Sequence, residues 1–277
     1  MPPPLRERCG QAAESCLVPD FDASRYSVRQ SSAGRHRSVR VMHRWREGGC
    51  DDGMMIGTLN EGSLHKSLKT WYAAPGDLVE CPVDGYVIDL VRDDLLIEVQ
   101  TGGFGPLRTK LEDLTQRHMV RVVAPIAHTR TIIRVADDGE RLSSRRSPKH
   151  GRYEDIFTRL VSIPTMIEHE GFELDILLTV EDEVRVYRPG QAWRRKGWVV
   201  LGRALVDVVE SKRIRTLTDL ARLLPAGLPA PFSTADLAGS ADISRRVAQH
   251  MVYCLRALGM VEIAGKQGNT LLYHRSG

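Results

Sequence analysis

The chain has 277 residues, with 39 Lys and Arg against 35 Asp and Glu, so its formal net charge is +4. Hydrophobic residues make up 42% and charged residues 27%, the composition of a globular protein with one large or two ordinary domains. No apolar run approaches the ~20 residues of a membrane span, which excludes a helical membrane protein. The start, Met1-Pro2-Pro3-Pro4-Leu5-Arg6, lacks the apolar core of a signal peptide, so a cytoplasmic location with no membrane partner is expected. The mild positive charge permits nucleic-acid binding without demanding it. Five cysteines, an odd number with no compact framework, predict reduced thiols, and Cys9 and Cys16 lack His or Cys partners at zinc-site spacing.

Residues 1–53 are rich in Arg, Ser and Gly and show no hydrophobic period, so they read as a disordered extension. A start of translation at Met54 or Met55 is an alternative. A helix is predicted over about Asn60 to Tyr72, with Leu64, Leu68, Trp71 and Tyr72 as its buried stripe. Strands follow near Asp77 to Pro82, Tyr86 to Arg92 and Leu95 to Thr101. If Asp93 and Asp94 form the turn between the last two, Arg92 faces Leu95 and Asp89 lands opposite Glu98. Opposed residues of an antiparallel ladder share a face, with Cβ atoms about 5 Å apart. Two carboxylates so placed within apolar runs are destabilising unless compensated. A divalent cation bound by both would compensate, and hard oxygen donors suit Mg²⁺. Gln100 shares the face of Glu98 by alternation. The plainer alternative is a solvated sheet face.

A flexible Gly102-Gly103-Phe104-Gly105 connection leads to a second helix, about Pro106 to Gln116, and then to a strand at Met119 to Pro125. Taken together, about residues 57–126 resemble the PD-(D/E)XK nuclease superfamily. Its restriction-endonuclease-like core is a helix, three antiparallel strands, a helix and a further strand. The resemblance implies an α/β (α+β) fold, with a mixed sheet flanked by helices, and metal-dependent hydrolysis of phosphodiester bonds. Asp89 matches the family's aspartate on the second strand and Glu98 its acidic residue on the third. With the carbonyl of Val99 they would bind Mg²⁺ or Mn²⁺. The family's lysine is missing, and Gln100 stands in its place. Some members carry the lysine on the second helix. There Leu107, Leu111 and Leu114 define the buried stripe, and Lys110 lies on the sheet-facing side. Lys110 is therefore the candidate replacement, against the alternative of a snorkelling surface lysine. Glu61, on the stripe of the first helix, matches a glutamate that supports the metal in the family. Acids also favour a first helical turn for dipole reasons alone.

From Ala127 to about Arg194 the pattern stays mixed. Strands are expected at Thr131 to Val135 and Phe172 to Val180, a polar basic loop at Leu142 to Arg152, and a solvated turn at Glu181, Asp182 and Glu183. Trp193 and Trp198 then bracket Arg194, Arg195 and Lys196, a pattern that holds a nucleic-acid backbone by charge while an aromatic stacks on a base. Packing of Arg on Trp is the alternative.

Residues 54–200 are thus expected to form the nuclease-like domain, and 201–277 a helical linker and a second domain. Helices are predicted at Arg203 to Ser211 and Leu217 to Leu224, followed by a proline-rich linker. A short helix capped by Ser233 or Thr234 and a longer one, about Ser244 to Leu258, precede two strands with a basic tip. The order resembles a winged helix-turn-helix domain, which implies DNA as a partner. Arg245, Gln249 and Tyr253 of the longer helix, with Lys266 at the tip, would contact phosphates and base edges.

The reading is a Mg²⁺-dependent nuclease acting on DNA, with Asp89, Glu98, Gln100, Lys110 and Glu61 as its catalytic group. The alternatives are a catalytically inactive nuclease-fold regulator that binds DNA, and a component of a defence or repair system that needs a protein partner. A homodimer is compatible with the resemblance, since many enzymes of this fold cut both strands as dimers.

Overall fold

A computed structural model describes residues 62–276. It opens with α1 (Gly62–Tyr72), β1 (Leu78–Val83), β2 (Tyr86–Arg92), β3 (Leu95–Val99) and α2 (Arg108–Leu114). Next come β4 (Met119–Val135), β5 (Arg141–Arg146), α3 (Phe157–Leu160), β6 (Phe172–Tyr187) and β7 (Trp198–Ile214). The chain ends with α4 (Leu217–Ala221), α5 (Thr234–Ser240), α6 (Arg245–Ala257), β8 (Val261–Gln267) and β9 (Thr270–Arg275). It is a mixed α+β structure. Its seven-stranded sheet runs β1-β2-β3-β4-β6-β7, with β5 also paired to β4. Strands β3, β4 and β6 are parallel neighbours, while β1, β2 and β3 form an antiparallel meander and β7 returns antiparallel to β6.

Helices cover both faces, which is why the central strands read as nearly continuous apolar runs. On one face Leu64 and Leu68 of α1 pack against Leu90, Ile97, Val99, Val123 and Leu177. On the other, Leu111 and Leu114 of α2 and Phe157 and Leu160 of α3 meet Leu96, Val122, Leu174 and Ile176. That second core continues without a break into Phe232, Leu237, Met251 and Leu255 of the C-terminal segment. Two caps shape that segment. The Ser233 hydroxyl accepts from the Ala235 and Asp236 N–H groups, and Ser244 caps α6 through the Val247 N–H. Strands β8 and β9 form a separate hairpin, and Phe232 bridges to Tyr273 of β9.

Several expectations are corrected. Arg203 to Ser211 is not helical: it belongs to β7, whose Leu205 and Val208 are buried beneath α1, so the boundary expected at residue 201 falls inside a sheet strand. Cross-strand pairing with β6 outweighs the helical spacing of its apolar residues. The acids Glu181, Asp182 and Glu183 do not form a solvated turn. They lie within β6, with Glu181 and Glu183 buried. Arg130 of β4, about fifty residues away, reaches Glu181 at 3.0 Å and Glu183 at 3.2 Å, and the nearby Arg185 reaches Glu183 at 2.5 Å, so these cations neutralise them. The strands expected at 119–125 and 131–135 are one, β4, and half of the basic loop is the exposed strand β5. Cys254 is a buried free thiol. Residues 1–53, Met54, Met55 and Glu61 lie outside the described residues. Among the described residues no helix is long and apolar enough to cross a membrane.

Candidate functional site at the open end of the hairpin

The register of the hairpin is the expected one from its turn inward: Arg92 pairs with Leu95, Val91 with Leu96 and Leu90 with Ile97. At Asp89 the ladder opens. Val79 pairs with Leu90 and Cys81 with Ile88, so Glu80 stands opposite Asp89, and its φ of 52° breaks the extended backbone. Ile88 consequently packs in the core below α2 and Leu90 in the core below α1, although strict alternation would place both on one face. Where backbone bonds end, side chains replace them. The Val99 N–H donates to Asp89 Oδ2 at 2.9 Å, and the Asp89 N–H donates to Glu98 Oε1 at 3.3 Å. The two carboxylates therefore do not sit side by side on one sheet face. Asp89 turns to α1 and Glu98 to α2.

Each carboxylate meets cations of its own helix. His65 Nε2 lies 3.0 Å from Asp89 Oδ2, and Lys69, one turn on, lies 3.9 Å from Asp89 Oδ1 and 2.5 Å from Glu80. Lys110 Nζ lies 2.7 Å from Glu98 Oε1 and donates to the Val87 carbonyl at 2.7 Å. The side chains of Glu98 and Lys110 are 8% and 15% exposed, so this ion pair is little screened by water. The repulsion that the sequence argument assigned to a metal is thus offset by the chain itself.

The environments drive the two acids apart. Burial pushes the Glu98 carboxyl above its ordinary value and the charge of Asp89 adds to this, against the hydrogen bond from Lys110. For Asp89 burial also acts upward, but the His65 hydrogen bond, the Val99 N–H and Lys69 together hold it below the ordinary value. His65 is raised by its hydrogen bond to Asp89, against burial and Lys69. Two carboxyls with opposed shifts are the usual raw material of acid–base chemistry.

Of the expected group, the structure joins Asp89, Glu98 and Lys110 and leaves Gln100 aside. The Gln100 amide donates to the Gly103 carbonyl at 2.6 Å, because the strand ends at Val99 and the glycine loop turns away. Its backbone is pinned instead: the Gln100 N–H reaches the Val123 carbonyl, and the Arg159 guanidinium donates to the carbonyls of Gln100 and Pro125 at 3.0 and 2.6 Å. Sequence reasoning missed His65 and Lys69. Their i, i+4 spacing, each one position after a stripe leucine, is the signal that would have placed them beside an acidic strand.

For a divalent ion the donors are of the right type and few. Among the described residues no group of three or more His, Cys, Asp and Glu side chains could hold a metal. Glu98 Oε2 accepts no hydrogen bond there, and Asp89 Oδ1 has only Lys69 at 3.9 Å. The two carboxylates are oxygen donors of the type Mg²⁺ takes, but turned to α1 and α2 as they are, they would have to swing towards one another to share an ion that draws its other ligands from water and substrate.

The residues expected to touch nucleic acid lie in three other places. Arg194 and Arg195 sit in a 3₁₀ turn between β6 and β7, flanked by Ala192 and Lys196 at φ 45° and 51°. Trp193 is 80% exposed there, with the Arg194 guanidinium 5.1 Å from its ring. Trp198 instead lies under Arg134 at 4.4 Å, so the cation–π reading holds for that ring. Arg245, Gln249 and Tyr253 form an exposed stripe of α6, and Lys266 is exposed on β8. Tyr253 also lines a cleft with Arg108 and Glu112 of α2.

Comparison with known proteins gives a family and no fold precedent. An uncharacterized protein of Treponema pallidum (strain Nichols) is 32% identical over 227 residues, covering 80% of this chain and 88% of that relative. No solved structure matches the chain. Residues 62–215 match the family model described as a domain of unknown function, DUF8091, a span that starts with α1 and closes just after β7. The sheet, both covering helices and the Asp89–Glu98 site all fall within it, and the chain belongs to the DUF8091 family.

Proposed function

We propose that the chain is a metal-dependent nuclease of the PD-(D/E)XK type that hydrolyses phosphodiester bonds of DNA. The contact of Lys110 with Glu98 at 2.7 Å carries this reading, because it assembles an aspartate, a glutamate and a lysine from three separate elements at one strand end. The order α1, β1–β2–β3, α2, β4, with β4 parallel to β3, supports the restriction-endonuclease-like fold. The order α5, α6, β8–β9, with an exposed polar stripe on α6, supports a winged helix that binds DNA.

Asp89 and Glu98 would hold Mg²⁺ or Mn²⁺, which when bound lowers the pKa of a water and offsets charge on the phosphate. The remaining roles belong to the chain. His65, Lys69 and the Val99 N–H keep Asp89 ionised at neutral pH. Lys110 spends two of its three donors on Glu98 and the Val87 carbonyl, which leaves one N–H for an attacking water or a phosphate oxygen. Arg159 ties the end of β3 to β4 and so fixes the strand that carries Glu98.

A second reading, an inactive nuclease fold that binds DNA, draws on the same cations. Lys69, Lys110 and His65 already balance both carboxylates, so the site is self-consistent without an ion. Cleavage of labelled single- and double-stranded DNA with Mg²⁺, Mn²⁺ or EDTA, for wild type, Asp89→Ala and Glu98→Ala, separates the two. Metal-dependent cutting lost in both variants is expected. DNA binding without cutting, and no Mn²⁺ bound in calorimetry, would leave the second reading.

A further inference from the structure

We infer that β5 and the turn after it form a phosphate-binding edge that grips the backbone of duplex nucleic acid and leads it to the Asp89–Glu98 site. This inference names a substrate contact for the proposed nuclease and rests on that reading for its direction.

Residues 141–152 contain five Lys and Arg and no acid. All six residues of β5 are exposed. Arg152 pairs with Asp242, and Arg141 lies near Asp182. Arg145, Arg146 and Lys149 have no ion-pair partner among the described residues. Charged side chains on an edge strand often serve only to block pairing with another chain, a role that a charge of either sign fills. Three uncompensated cations beside two more, with no acid among them, exceed that role. The same charges oppose a second copy of this edge, since antiparallel pairing of two β5 strands would bring like charges together. A polyanion is the complementary partner.

Placement then selects the polyanion. Strand β6 occupies one side of β4 from Val120 to Val135. On the other side β3 pairs with Met119 to Val123, and β5 pairs with Thr131 to Val135. The two therefore share one edge of β4, with the C-terminal end of β3, where Glu98 sits, directed towards β5. Between them the Arg159 guanidinium, the Gly151 N–H and the Ser147 N–H take the β4 carbonyls of Pro125, Ala127 and Arg130 in turn. Eight residue steps of strand separate Val123 from Thr131, or about 25 Å. That distance corresponds to about seven or eight base-pair steps along a duplex. A repeating, extended array of phosphates can span it, whereas a compact anion cannot.

The test is the affinity of the full chain for a labelled mixed-sequence duplex in EDTA, between 50 and 300 mM salt, with Arg145→Ala/Arg146→Ala/Lys149→Ala beside wild type. The exposed positions leave the thermal midpoint unchanged, which a melting curve checks. The variant should bind at least tenfold more weakly at low salt. Its log–log salt slope should flatten by about 2 to 3, near 0.9 per lost phosphate contact. Equal affinity and slope would overturn the β5 assignment while leaving metal-dependent cleavage to stand or fall by itself. Loss of cleavage with β5-dependent duplex binding intact would remove the nuclease and keep this edge. Binding of wild type to phosphatidylserine vesicles but not to duplex, lost in the variant, would overturn the choice of nucleic acid.

Discussion

Lys110 and Glu98, twelve positions apart, meet at 2.7 Å because α2 lies across the face of β3 from which the glutamate projects. If this contact serves chemistry, Lys110→Met should lower metal-dependent cleavage by about 10²- to 10⁴-fold, the range of a single proton-transfer or charge-stabilising group. The Glu98 carboxyl should move further upward, since the hydrogen bond that opposes its burial is gone. Single-turnover cleavage and the pH profile of the variant check both.

The His65–Asp89 pair sets a pH window. A histidine raised above 6.5 contributes stability that is complete below that value and is lost as pH rises through its folded pKa. Asp89, held below the ordinary range, contributes stability present above 3.8 and lost as pH falls through its own folded value. Urea midpoints should therefore decline on the alkaline side of pH 6.5 in wild type. In His65→Gln that decline should be weaker, and an unchanged slope would show that the pair contributes nothing to folding.

Arg130 is the shared counter-ion of Glu181 and Glu183, whose side chains are 2% and 6% exposed. Arg130→Met should cost about 1–3 kcal/mol, because buried Glu181 keeps only Arg203 at 4.0 Å and the Thr179 hydroxyl while Glu183 keeps only Arg185. Replacing all three by apolar residues of similar size should recover most of that loss. Chemical denaturation of the single and triple variants decides it.

Phe157 of α3 is fully buried in the core that continues into α6. Phe157→Ala should lower stability by about 3–5 kcal/mol. It should also shift one calorimetric transition for the sheet and the C-terminal helices together. Two resolved transitions, only one of them moved, would contradict the shared core.

The parts of this structure written locally were legible. The hairpin about Asp93 and Asp94 declares itself through flanking β-branched runs, and its register followed from the turn length. The stripe Leu107, Leu111 and Leu114 placed Lys110 on the sheet side, where it is found. What failed depends on partners far along the chain. Glu181 and Glu183 read as solvated because Arg130 lies about fifty residues away. Arg203 to Ser211 read as a helix because its cross-strand neighbours in β6 are not visible in its own spacing. Opposition across the ladder placed Asp89 and Glu98 on one face, and a single residue at positive φ, Glu80 on the neighbouring strand, marks where that pairing breaks.

The parallel neighbours β3, β4 and β6 also dictate an order of assembly. The meander β1–β2–β3 pairs through short turns, and hairpins of that kind form in about 1–10 μs. Strand β4 gains its far partner only when Phe172 reaches Val120, more than fifty residues later in the chain. A growing polypeptide therefore completes the acidic hairpin while one whole side of β4 still lacks its mate. In that interval β4 presents an unpaired strand edge, the kind of surface that invites aggregation until its mate arrives.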